Sequence, residues 1–232
     1  MTLHSKHPEA VLFDLDGTLI DTAADFHRII NILRNEEALS SISYEALLPS
    51  VSDGSKAMIE TAFSAQLKTD SSEERLADLQ ARLLKLYLEQ TCVDSRPFDG
   101  ITDLLCWLGE QSIPWGVVTN KPWLYTAPLM QQLDLQPAAG SVICPEHIHH
   151  KKPHPEGLLL ACQELKCAPQ NCVYIGDHIR DIEAGNRAGM LTIAAAYGYV
   201  NSDDNISDWN SDYRIEHASE LQPLLASHYD SK

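Results

Sequence analysis

The stretch Ala10-Val11-Leu12-Phe13-Asp14-Leu15-Asp16-Gly17-Thr18-Leu19-Ile20-Asp21-Thr22 decides how the rest of the chain is read. Its first four residues are a short apolar run of the kind seen in a parallel strand buried on both faces. The run breaks into two aspartates one residue apart, followed by Gly-Thr. A carboxylate at the end of a buried strand costs solvation unless a cation or hydrogen bonds receive it. Open α/β sheets gather ligands at the carboxyl ends of their strands, so two carboxylates there suggest a metal site. The plainer alternative is a turn capped by Asp14 and Asp16, with Gly17 supplying a positive φ. The stretch alone leaves both readings open.

Composition narrows the field. The chain has 232 residues, 44% of them hydrophobic, enough for one large domain or a domain with a smaller insert. A formal net charge of −16 argues against nucleic-acid binding and against a basic membrane-surface role. An anionic substrate would need local positive charge or a metal to offset that field. The cysteines are Cys92, Cys106, Cys144, Cys162, Cys167 and Cys172, and none form a CxxC pair. Cys106, Cys144 and Cys162 lie in apolar runs and read as reduced, buried thiols. No N-terminal stretch resembles a signal peptide, and no apolar run approaches about 18 residues. The expectation is a soluble, cytoplasmic protein without nucleic-acid or membrane partners.

Along the chain, Thr22 to Leu39 reads as a helix, with Thr22 as its cap and Ile29, Ile30, Leu33 and Leu39 on one face. Tyr44 to Leu48 follows. Asp53-Gly54-Ser55 opens another helix, and Ser71-Ser72-Glu73-Glu74 opens a long one carrying Leu76, Leu79, Leu83, Tyr87 and Leu88. No convincing strand falls between Asp21 and Cys92. Arg96 to Gly100 reads as a turn-rich return. Beyond it strands and helices alternate: strands at 114–120, 141–144, 172–177, 191–196 and 213–215, helices at 99–111, 122–133, 155–165, 179–188 and from Ser219. That order predicts an α/β fold, a doubly wound Rossmann-like parallel sheet with an inserted all-helical block. The expected division is 1–20 and 96–232 for the core and 21–95 for the insert.

Strand carboxyl ends in such a fold converge on one crevice. Here they carry Asp14 and Asp16, then Thr119 and Asn120, then Asp177 with Asp181 four residues on; Lys152 precedes a helix. Carboxylates can hold a hard cation such as Mg²⁺, a hydroxyl and an amide can hold oxygens, and a lysine can neutralise them. Phosphoryl transfer needs chiefly such positioning and charge neutralisation. Each residue also has an ordinary alternative. Thr119 can be strand-end polarity, Asn120 a helix cap, Lys152 a solvated lysine, and Asp181 a first-turn acid favoured by the helix dipole. Asp21 and Asp25 read as cap and dipole partners of the first inserted helix. The histidines at 147, 149, 150 and 154 fit no standard zinc spacing.

These motifs resemble those of the haloacid dehalogenase superfamily of phosphatases. Asp14-Leu15-Asp16-Gly17-Thr18, Thr119-Asn120, Lys152-Pro153-His154-Pro155, and Gly176-Asp177 with Asp181 occur in the family's order, and the insert resembles its C1 cap. The resemblance implies that Asp14 attacks phosphorus and that Asp16 acts as acid and then base. It implies that Thr119, Asn120 and Lys152 bind the phosphoryl group. It implies that Asp14, Asp16 through its main-chain carbonyl, Asp177 and Asp181 hold Mg²⁺. An acid at position 16 points to a phosphohydrolase rather than a dehalogenase. Gly54, Ser55 and Lys56 open a cap helix and could meet a second polar group of the substrate.

The Asp-Gly-Thr-Leu-Ile-Asp-Thr opening is similar to phosphoglycolate phosphatases. Trp115 to Pro122, Ile143 to His147, and Tyr197-Gly198-Tyr199-Val200 are similar to the N-acetylmuramic acid 6-phosphate phosphatases of peptidoglycan recycling. The expected partner is therefore a small carboxylate-bearing phosphate ester, either that amino-sugar phosphate or phosphoglycolate, handled by a monomer or homodimer. A sugar phosphomutase and a non-catalytic phospho-ligand sensor are the remaining readings.

Overall fold

In the computed structural model, residues 7–69, 73–201 and 204–230 are described. Ser71 and Ser72, expected to open the long helix, lie outside them. The first strand, β1 (Ala10–Phe13), is fully buried and sits in the middle of the molecule. It pairs in parallel with β4 (Trp115–Val118) on one side and β6 (Cys172–Gly176) on the other. Val11 lies opposite both Trp115 and Val173. β5 (Ser141–Ile143) extends one edge, and β7 (Leu191–Ala195) and β8 (Tyr213–Ile215) extend the other. The resulting order β5-β4-β1-β6-β7-β8 is parallel throughout. The chain runs outward from β1 to β4 and β5, then crosses back to the other side of β1 and continues outward as β6, β7 and β8; that reversal opens a crevice at the carboxyl ends of the central strands.

Alternation along β1 explains the layers. Val11 and Phe13 face a core shared with α6 (Ile101–Glu110), α7 (Trp123–Leu133) and α10 (Leu221–Asp230). Ala10 and Leu12 face the opposite core, shared with α8 (Glu156–Leu165) and α9 (Ile179–Ala188). A parallel strand with helices on both faces has no room for a polar residue until it ends, so the first polar side chain is Asp14. Cys144, Cys162 and Cys172 are buried free thiols, but Cys106 is exposed. Its apolar neighbours Leu104, Leu105 and Leu108 take the inner face of α6 and leave Cys106 on the outer one.

Between β2 (Ile20–Asp21) and β3 (Arg96–Pro97) the chain is helical. α1 (Ala23–Glu36), α2 (Tyr44–Leu47), α3 (Ser55–Ala62), α4 (Ser64–Thr69) and α5 (Glu73–Glu89) make up this block. Phe26, Ile29, Ile30 and Leu33 of α1 meet Leu79, Leu83 and Tyr87 of α5 and Met58 and Ile59 of α3 in a separate apolar cluster. These spacings of three and four residues are those of one helix face. α1 stops at Glu36, before Leu39, because Ala38 adopts φ 56°. Among the described residues, no helix is long and apolar enough to cross a membrane.

Two local expectations are corrected. Arg96 and Pro97 are not simply a turn: they pair antiparallel with Asp21 and Ile20, so both chain crossings into the helical block form one short ribbon. Two-residue strands carry no periodicity by which a sequence could reveal them. Thr22 precedes α1 but makes no side-chain cap. Its hydroxyl bonds to Asp16 instead, and the Ala23 amide is received by Asp21 Oδ1 at 3.2 Å and the Tyr199 hydroxyl at 2.9 Å.

Asp25 does more than favour its helix dipole. It is fully buried and accepts from the Asp94 amide (3.0 Å), the Ser95 amide (3.1 Å), the Ser95 hydroxyl (2.6 Å) and Arg28 (2.6 Å). The start of the helical block is thereby stapled to its end. Burial pushes the Asp25 carboxyl up, but the bonds from Ser95, Arg28 and the Asp94 amide outweigh it and hold it below the usual range. A depressed pKa contributes stability above the unfolded value that is lost as pH falls through the folded one. Asp25→Ala should therefore cost about 3 kcal/mol at neutral pH, with the deficit shrinking below about pH 4. Urea unfolding at the two pH values measures both.

Candidate active site

The β1 ladder continues one step past the strand, with the Asp14 amide donating to the Ile175 carbonyl at 2.9 Å. That fixes the Asp14 side chain at the mouth of the crevice, 7% exposed. Lys152 arrives from the segment before α8 and is buried as well. Its ammonium lies 2.7 Å from Asp14 Oδ1 and 2.7 Å from Asp181 Oδ1. It also donates to the Tyr174 hydroxyl at 2.9 Å, which in turn donates to the Val118 carbonyl at 3.0 Å. Asp181 is positioned by its own helix start, where Oδ2 accepts from the His178 amide at 3.1 Å. Gly176 permits this return: a Cβ there would stand 2.3 Å from Asp181 Cβ.

Asp177, at the end of β6, is held on three sides. Thr18 donates to Oδ1 at 2.9 Å; the Tyr199 amide (2.9 Å) and the Ser52 hydroxyl (3.2 Å) donate to Oδ2. Gly17, at φ 85°, leaves no room for a side chain, since a Cβ would stand 2.2 Å from Asp177 Oδ2. The glycine that sequence suggests for a turn is thus also needed for close approach.

One oxygen from each of Asp14, Asp177 and Asp181 lies within 4.8 Å of the others. Three buried carboxylates face one ammonium, so two negative charges remain uncompensated. Burial and then repulsion from the Asp14 and Asp181 carboxylates push Asp177 up to about 7. For Lys152, burial acts downward, but Asp14 and Asp181 prevail and keep it charged. An all-oxygen donor set with two surplus negative charges fits a hard divalent cation.

Asp16 turns the other way. Its Oδ1 accepts from the Thr22 hydroxyl at 2.6 Å and from Lys121 at 2.8 Å. No described residue donates to Oδ2. Asp14 and Asp16 both line a cavity of about 490 Å³ between the sheet and the helical block. Thr119 is buried; its Oγ1 accepts from the Lys121 amide at 3.1 Å, and no described residue takes its hydrogen. Asn120 spans the loop carrying Lys152, bonding both its carbonyl and its amide at 3.2 Å, so its side chain positions Lys152. Gly54, Ser55 and Lys56 reach the same cavity from α3. The Ser55 hydroxyl accepts from Gln80 at 2.8 Å, and the exposed Lys56 ammonium lies 3.8 Å from Glu60.

Of the four histidines, His150 and His154 come together at the exposed surface, ring centres 4.6 Å apart beside Glu156, and His147 lies elsewhere. His147 accepts from the Cys144 amide, while His150 pairs with Glu156 at 2.8 Å on the surface. Three participants escaped the sequence reading. Lys121 sits beside Thr119-Asn120 without being singled out, Tyr174 passes as one more apolar strand residue, and Arg180 precedes Asp181 on α9. Arg180 lines the cavity, and its guanidinium donates to the Ser52 carbonyl.

With the crevice, carboxylates and lysine in place, comparison with known proteins is informative. Residues 11–195 match the model of the haloacid dehalogenase-like hydrolases. The chain belongs to that family. It is 42% identical over 217 residues to an N-acetylmuramic acid 6-phosphate phosphatase of Pseudomonas aeruginosa, covering 94% of each chain. It is 38% identical over 216 residues to a phosphoglycolate phosphatase of Xanthomonas campestris, covering 93% of this chain and 96% of the relative. A crystal structure of a predicted phosphoglycolate phosphatase from Haemophilus somnus 129pt shares the fold, with a TM-score of 0.81 and 22% identity over 95% of this chain and 98% of that one.

The charge imbalance has a measurable consequence. With chelator present, Asp177 keeps its proton in the folded state up to about pH 7 but loses it near the ordinary carboxylate pKa when unfolded, so the folded state loses stability between about pH 4 and pH 7 and little beyond. Adding Mg²⁺ should raise the melting temperature most at the upper pH. Asp177→Asn should remove most of both effects in a thermal melt.

Proposed function

We propose that this protein is a cytoplasmic, Mg²⁺-dependent phosphomonoester hydrolase working through an aspartyl phosphate, with N-acetylmuramic acid 6-phosphate as its substrate. The observation that carries the reading is the division of labour between two aspartates two residues apart. Asp14 lies against a lysine and two further carboxylates, whereas Asp16 turns away from that cluster and presents a free oxygen to the cavity.

Asp14 is the nucleophile. One of its oxygens attacks phosphorus, and the bond from phosphorus to the ester oxygen breaks. Asp16 gives that oxygen its proton. A water then attacks the phosphorus of the aspartyl phosphate; Asp16 takes the proton, and Asp14 is released as the carboxylate with inorganic phosphate. Lys152 and the Thr119 hydroxyl hold the transferring oxygens, with Asn120 keeping Lys152 in place. Asp14, the main-chain carbonyl of Asp16, Asp177 and Asp181 would hold Mg²⁺, which supplies charge neutralisation at the phosphoryl group. Residues 21–95 form the cap that closes over this site and excludes water.

Cavity size supports the sugar ester. About 490 Å³ exceeds what a two-carbon acid occupies and lies in the usual range for small-molecule sites. Its lining combines apolar faces from Phe26, Leu84 and Tyr125 with the cations Lys56, Lys151 and Arg180, suited to a ring bearing a carboxylate. Phosphoglycolate is the second reading. It is favoured by the Xanthomonas relative's name and shares the pairing of phosphate and carboxylate.

Parallel assays of Mg²⁺-dependent phosphate release decide between them. The sugar phosphate is expected to show the higher kcat/KM, and a large preference for phosphoglycolate would reverse the assignment. Asp14→Asn should lower turnover by at least about 1000-fold with either ester. Unchanged release by that variant would remove Asp14 from the nucleophile role.

A further inference from the structure

We propose that Lys121 is a positioning residue that fixes the side chain of Asp16 only when the helical cap is closed over the site. The inference rests on the phosphatase reading, in which Asp16 handles the proton of the leaving oxygen.

Lys121 belongs to the sheet domain, in the loop between β4 and α7, yet two of its three kinds of partner belong to the cap. Its ammonium donates to Asp16 Oδ1 at 2.8 Å and to the Tyr87 hydroxyl at 2.9 Å. It also lies over two aromatic faces, 4.6 Å from the Tyr87 ring centre and 5.1 Å from that of Phe26. Those rings stack on each other at 4.3 Å and 8°, so α1 and α5 together hold the aromatic pair that the cation meets. The Lys121 side chain is only 8% exposed. A buried ammonium is tolerable only with such partners, and these are assembled by cap and core in contact.

The direction of the bonds gives this contact a chemical meaning. Lys121 and Thr22 both donate to Oδ1 of Asp16, from opposite sides of the cap–core seam. Clamping one carboxylate oxygen orients the other, Oδ2, toward the cavity. With the cap swung away, the ammonium loses the hydroxyl and both rings and gains water, and nothing on the cap side fixes its contact with Asp16. Closure thus completes the proton-handling group as well as shutting out solvent.

The test is a series of ring-substituted phenyl phosphates, alike in shape but differing in leaving-group basicity. A misplaced acid penalises poor leaving groups most. For Lys121→Met, kcat/KM should fall about 30-fold with phenyl phosphate and under about 3-fold with 2,4-dinitrophenyl phosphate. Lys121→Arg should recover part of the loss, and Tyr87→Phe, which keeps the ring, should show a weaker version of the same slope. Because the substrates are compared on one preparation, any misfolded fraction cancels. Asp16→Asn serves as the reference and should show the steepest slope. A uniform loss for Lys121→Met alongside a steep slope for Asp16→Asn overturns the positioning role. A flat series for Asp16→Asn would instead overturn the underlying acid assignment.

Discussion

Three carboxylates and one ammonium, all withdrawn from water at the ends of two adjacent strands, set the terms for the rest of the molecule. Like charges in so small a volume repel, and the low dielectric around them magnifies it. The structure meets that cost locally with donors aimed at each group: Thr18, Ser52 and the Tyr199 amide for Asp177, and the His178 amide for Asp181. It then requires the surrounding backbone to approach closely, which explains the crowding at Gly17, Gly176 and Gly198. The Cβ each of them lacks would fall inside an aspartate side chain. Stability is given up at this point and regained in the two apolar layers on either face of the sheet.

The helical block meets the sheet domain through polar contacts and a few aromatic ones: Tyr199 belongs to its apolar cluster, and Phe98 and Tyr125 pack against it. Its own cluster of Phe26, Ile29, Leu33, Leu79, Leu83 and Tyr87 is distinct from both sheet-facing layers. Polar links across the seam are the two-residue ribbon, the Ser52–Asp177 and Arg180–Ser52 bonds, and the Lys121 bridge. Polar links exchange readily with water, unlike a packed core, so such a seam fits the proposed role of the block as a cap that opens for substrate.

Sequence reading recovered the parts governed by short-range rules. An apolar run ending in Asp14, repeated strand–helix alternation, and polar residues at strand ends suffice for the doubly wound sheet, because both periodicity and the location of the crevice are properties of the chain pattern. It missed what depends on distant partners. Thr22 looks like a cap until Asp16 is seen to claim its hydroxyl, and Asp25 looks like a dipole partner until Ser95, seventy positions on, is found against it. Tyr174 sits in an apolar strand, where only the arrival of Lys152 and the Val118 carbonyl gives its hydroxyl a task. Cys106 shows the converse error: apolar neighbours in sequence do not imply burial when a helix turns one residue outward.

Tyr199 gives the seam a mechanical character. Its amide grips Asp177, while its hydroxyl donates to Asp21 and accepts from the amides of Thr22 and Ala23, where α1 begins. One rigid ring therefore spans from the charged cluster to the pivot of the helical block. A lever of that kind transmits displacement in both directions: a rotation of α1 tugs on the carboxylate, and a tightening around the carboxylate draws in the root of the helix. The charged cluster at the strand ends and the root of α1 are therefore tied to one and the same residue.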